Sequence, residues 1–198
     1  MKRLLVSLLV AMTAAVAASP EEDHRAGEKA YLAGDVTGAI APLRRAADAG
    51  HAPSQALLAE ILDRAELNDE ALAYYRRAAE QGNAAGELGL GTMYLVGEGV
   101  KADWRQALSW FARAAERGHA GAITALAQAL MTPPRNEKAD EAAVARWVRR
   151  AAELDYLPAM EYLAASADAQ EARRWAERAA EAKKRQAGAP QQQKKRRL

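Results

Sequence analysis

The groups in this chain best suited to chemistry are its histidines and its carboxylates. There is no cysteine, so disulfides, thiolate metal sites and cysteine nucleophiles are excluded. A metal site would need His24, His51 and His119 to converge. No HxH or HExxH spacing brings two of them onto one helix face. His51 and His119 each follow a glycine in similar phrases, which marks them as solvent-facing turn residues beside a helix end. The acidic runs PEED (Pro20–Asp23) and NDEA (Asn68–Ala71) read as helix starts, where negative charge suits the dipole. A two-carboxylate hydrolase needs its acids about 5 to 9.5 Å apart in a cleft, and nothing in the spacing favours one. GxSxG, P-loop and Rossmann signatures are missing. The expectation is a protein that is not an enzyme, with no metal and no cofactor.

Two further groups could bind rather than react. Trp110, Trp147 and Trp175 share one sequence slot with Tyr74, so core packing explains them better than a sugar-stacking row. Trp104 stands off that slot, beside a glycine loop, and is the better contact residue. The end of the chain, KKRQAGAPQQQKKRRL, holds Lys183, Lys184, Arg185, Lys194, Lys195, Arg196 and Arg197 with no acid among them. Ala187-Gly188-Ala189-Pro190 and the glutamine run predict a disordered tail over residues 183–198. Such a tail suits a polyanion: lipid head groups, lipopolysaccharide phosphates, an acidic glycan or an acidic partner. Each basic residue near an anionic membrane contributes about 1 kcal/mol. The plainer alternatives are a solvated end, or one folded back on the chain's own acidic body. Nucleic acid is disfavoured because no aromatic residue interleaves the charges.

Charge separates the chain into parts. The first residues, MKRLLVSLLVAMTAAVAASP, combine a basic start, a short apolar core and an A-x-A-like end. This is the pattern of a secretory signal peptide, residues 1–18, cut after Ala17 or Ala18. It predicts an exported protein, periplasmic if the cell is Gram-negative and otherwise secreted. The sequence shows no later spanning segment. The body, residues 19–182, carries 19 basic against 26 acidic residues, a net of −7, while the tail carries +7.

The elements that position these groups repeat. Paired alanines recur at Ala46-Ala47, Ala78-Ala79, Ala114-Ala115, Ala151-Ala152 and Ala179-Ala180. Five residues before each second alanine stand Pro42, Tyr74, Trp110, Trp147 and Trp175. A bulky residue about one turn before two alanines makes one apolar helix face. Between these helices a second series pairs a leucine with a small residue: Leu58-Ala59, Leu90-Gly91, Leu126-Ala127 and Leu163-Ala164. Gly50, Gly82 and Gly118 stand at the C-cap distance, and Asp103 and either Asp140 or Asn136 are candidate N-caps. Each unit is therefore a helix, a turn and a second helix, and only stacked units bury their apolar faces.

The segment Gly82–Gly118, with LGTMYLVGEGVKADWRQALSWFARAAERG, resembles the Sel-1-like repeat, a relative of the tetratricopeptide repeat. The resemblance rests on Leu90, Gly91, Tyr94, Gly97, Gly99, Val100, Asp103, Ala107, Trp110, Ala114, Ala115 and Gly118. Looser copies extend over about residues 25–182. It implies an all-α, right-handed α-solenoid of about five antiparallel helix pairs, and an adaptor that holds a protein partner, as in envelope assemblies. By analogy with tetratricopeptide arrays, the concave face presents positions beside the leucine–small pairs: Ala56 and Glu60, Leu88 and Thr92, Thr124 and Gln128, Glu161 and Ala165. Partner-contact candidates are accordingly Glu60, Leu88, Thr92, Trp104, Thr124, Gln128 and Glu161.

Overall fold

The computed structural model describes residues 18–195. The expected signal peptide therefore falls outside the described residues apart from Ala18, as do Arg196 and Arg197. Ten helices follow one another, with no strand among the described residues. They are α1 (Pro20–Leu32), α2 (Val36–Asp48), α3 (Ala52–Arg64), α4 (Asn68–Glu80), α5 (Ala84–Val96), α6 (Trp104–Glu116), α7 (Ala120–Met131), α8 (Glu141–Glu153), α9 (Leu157–Ser166) and α10 (Ala169–Lys195). Each odd helix packs on the even helix that follows it, which makes five hairpins. Successive odd helices also touch one another, so they form the inner layer of an α-solenoid and the even helices the outer one.

The repeated residues do the nesting. Ala46, Ala47, Ala78, Ala79, Ala114, Ala115, Ala151 and Ala152 are all buried, as are Tyr74 and Trp147 in the bulky slot. Trp110 is half-buried and packs on the buried core that includes Tyr75, Leu90 and Met93, with the Arg113 guanidinium over its ring. Leu58, Ala59, Leu90, Leu126, Ala127 and Leu163 of the leucine–small pairs are buried. A Cβ on Gly91 would stand 2.6 Å from Phe111 Cδ1, so the close approach of α5 to α6 requires glycine there. In the last described hairpin Trp175 and Ala179 are buried but Ala180 is exposed.

Turns follow the expected chemistry at most joints. Gly50, Gly82 and Gly118 take the left-handed backbone just past α2, α4 and α6, and Asp155 (φ 61°) replaces glycine past α8. Asp103 accepts from the Gln106 N–H at 3.0 Å and Asp140 from the Ala143 N–H at 2.7 Å. Ser19 and Glu22 form a capping box at α1.

Helix α10 runs on through residues 183–195, where the sequence predicts a disordered tail. Gly188 and Pro190 are the only poor helix formers in that stretch; the rest are alanine, lysine, arginine and glutamine, all high on the helix scale. The start of the extension also lies on the acidic body. Lys183 pairs with Glu161 at 2.6 Å and Arg185 with Asp155 at 3.5 Å.

Candidate binding groove

The inner layer encloses a groove of ≈ 550 Å³ between α1, α3 and α5, reaching the start of α7. The amphipathic spacing of α3 points Ala56, Leu57, Glu60 and Asp63 toward it. Leu88, Gly89 and Thr92 of α5 form the facing wall, and His24 and Glu28 of α1 close one end. Tyr75 reaches the groove from α4, an outer helix. Its ring passes between the inner helices because position 89 is glycine; a Cβ there would collide with the ring.

The groove is acidic. Glu60 Oε1 accepts from the Tyr31 hydroxyl at 3.1 Å and from Arg64 at 2.8 Å. Asp63 is half-buried, and burial first, then the Glu98 and Glu60 charges, push its carboxyl above the ordinary value. Burial pushes the Tyr75 phenol up as well, helped by the Asp63 and Glu60 carboxylates. The Tyr31 phenol rises through burial and Glu60.

One edge of the groove holds a histidine–serine cluster. The buried Ser54 hydroxyl lies 2.9 Å from Nδ1 of both His24 and His51. His51 Nδ1 also accepts the Ser54 backbone N–H, so this imidazole is the N-cap of α3. His119 caps α7 in the same way, accepting from the Ala122 N–H at 3.2 Å. The expectation of solvent-facing turn residues is thus corrected: both rings are half-buried because their Nδ1 atoms turn inward to satisfy a helix start. Burial, and then the His51 ring 4.7 Å away, lower the His24 pKa. Among the described residues no group of three or more ligand side chains is placed to hold a metal.

The structure brings together three of the contact residues expected from sequence: Glu60, Leu88 and Thr92. The other four stand apart. The Trp104 ring is half-buried and its N–H donates to the Ala129 carbonyl at 3.3 Å, tying α6 to α7. The Thr124 hydroxyl donates to the Gly121 carbonyl, and Gln128 accepts from the Tyr156 hydroxyl at 2.7 Å. Glu161 is held by Lys183. Tyr75, Asp63 and Glu28 enter the groove without having been singled out. The doubled tyrosine of YYRRAA, facing three glycines in GELGLG, is the signal that marks this unit apart from the other copies.

The family model of the Sel1 repeat matches residues 67–83, 84–119 and 160–184, the segments built by α4, α5–α6 and α9–α10. These segments are Sel1-like repeats. A crystal structure of a Sel1 repeat protein from Oxalobacter formigenes matches with a TM-score of 0.66 at 26% identity, over 82% of this chain and 73% of that one. A protective antigen of uropathogenic Escherichia coli with an SLR fold matches with a TM-score of 0.70 at 24% identity, over 82% of this chain. The chain spans 38% of that antigen's length, and the likeness shows the fold alone. Among curated proteins nothing matches the chain. Sel1 repeat proteins are generally scaffolds for protein interaction, and the fold is typically non-catalytic. Among the described residues no helix is long and apolar enough to cross a membrane.

Proposed function

We propose that this Sel1-like repeat protein is an exported adaptor that holds a protein partner in the groove between α1, α3 and α5, within a cell-envelope assembly. The observation that carries the reading is the groove itself. Four elements contribute side chains to one concave surface that mixes apolar walls with carboxylates, as partner surfaces of helical arrays do. The basic start and short apolar core of residues 1–18 support export. The test is recovery of tagged chain from the envelope with its bound proteins. Thr92→Trp fills the groove at an exposed position and is expected to remove a partner that the unaltered chain retains. Retention of every bound protein by the Thr92→Trp chain would refute the groove as the site.

A second reading concerns α10. The helix runs on for about 20 Å past Ala182, the last of its residues described as buried. This arm carries Lys183, Lys184, Arg185, Lys194 and Lys195 and would hold the protein to an anionic glycan or lipid surface. The ion pairs of Lys183 and Arg185 with the body leave the distal cluster as its main anchor.

A further inference from the structure

We propose that the groove is built for a basic side chain, and that the partner inserts a lysine or arginine between Asp63, Glu60 and the hydroxyl of Tyr75. This rests on the adaptor reading and specifies the chemistry of its partner.

Three observations point the same way. Asp63 is half-buried beside Glu60, and among the described residues no cation pairs with it; the adjacent Arg64 is engaged by Glu60. A carboxylate withdrawn from water without a cation is unfavourable, and a ligand cation removes that cost. Tyr75 is 6% exposed, yet its hydroxyl makes no hydrogen bond to a described residue. Since no fully buried polar side-chain atom among the described residues lacks a partner, this hydroxyl must open to the groove. A phenol oxygen so placed accepts from an ammonium or guanidinium while its proton turns to a carboxylate. Finally, Ala56, Leu57 and Leu88 lie beside these polar groups. They give the methylene stem of a lysine or arginine an apolar surface to cover. Glu28 adds a further negative charge at the α1 end, so an acidic segment is repelled.

Short random peptides displayed on phage and selected on the whole chain test this. Individual binders are then synthesised and titrated against the unaltered chain, Asp63→Asn with Glu60→Gln, Tyr75→Phe, and Thr92→Trp. Thermal melts of each variant establish that it is folded. The expected result is peptides that share a lysine or arginine whose replacement by norleucine weakens binding roughly tenfold or more. The carboxamide pair weakens them to the same degree, Tyr75→Phe weakens them less, and Thr92→Trp abolishes binding. Peptides lost in Thr92→Trp but indifferent to norleucine and to the carboxamide pair would overturn the basic-partner inference and leave the groove reading standing. Binders that none of these substitutions affects would overturn both.

Discussion

The ring of Tyr75, carried by outer helix α4, fills the space that a side chain on Gly89 of inner helix α5 would occupy. One glycine thus lets an outer-layer aromatic form the floor of an inner-layer groove. Gly89→Ala is expected to destabilise the fold by about 1–3 kcal/mol, since a rigid ring and two packed helices must shift. Tyr75→Leu should relieve most of that cost, because a leucine, Leu43, fills the same repeat position in the first hairpin. A double-mutant cycle by urea unfolding checks this; additive effects would contradict the packing described.

Glu87 is fully buried and receives Arg113 at 3.1 Å and Arg117 at 3.3 Å. Its position at the fourth residue of an inner helix recurs as Asp23, Gln55, Ile123 and Met160, all buried, so the slot is polar in three hairpins and apolar in two. Removing both arginines strands the carboxylate and is expected to cost about 3–5 kcal/mol. Glu87→Met should cost clearly less, because the slot accepts methionine in the fifth hairpin and both arginines can turn to solvent. Urea midpoints of the two variants measure the difference.

Acid should weaken the first two hairpins. The pKa of His24 is lowered in the fold by burial and by His51, below the unfolded value of 6.5. The unfolded chain therefore takes up the proton first. The stability this group contributes is complete above about pH 6.5 and is lost progressively as pH falls below it. His24→Gln, which keeps a partner for Ser54, is expected to flatten the fall in melting temperature between pH 7 and pH 5, roughly the span of histidine titration. An unchanged slope would show that other groups govern it.

Truncation after Gln186 should leave the melting temperature nearly unchanged, a loss of about 0.5 kcal/mol or less, since among the described residues the buried core ends at Ala182. The same truncation should abolish sedimentation with vesicles rich in anionic lipid at low salt. Full retention on those vesicles would remove the arm from consideration as an anchor.

The repeat architecture was legible because packing forces regularity: every hairpin must offer alanines, a bulky residue and a small crossing residue to the next. The groove was only partly legible, for the opposite reason. Glu60, Leu88 and Thr92 follow from the repeat register, but Thr124, Gln128 and Glu161 occupy the same register on α7 and α9 and do not line the groove. Tyr75 was hidden because its position is a core position in other copies, Leu43 and Phe111, and only Gly89 redirects it. The caps made by His51 and His119 escape a reading that pairs histidine with the preceding helix end, whereas the ring serves the next helix start. Within Lys183–Lys195 only Gly188 and Pro190 oppose the helical course of α10, and the other residues favour helix.

The most direct test of the groove as the partner site is photocrosslinking in intact cells, with a photoreactive residue at Thr92 in the groove or at Ala73, exposed on outer helix α4. A discrete protein adduct from position 92, absent from position 73 and lost when Tyr75 and Asp63 are also replaced by alanine, is the predicted result. Equal adducts from both positions, or an adduct from position 73 alone, would contradict it.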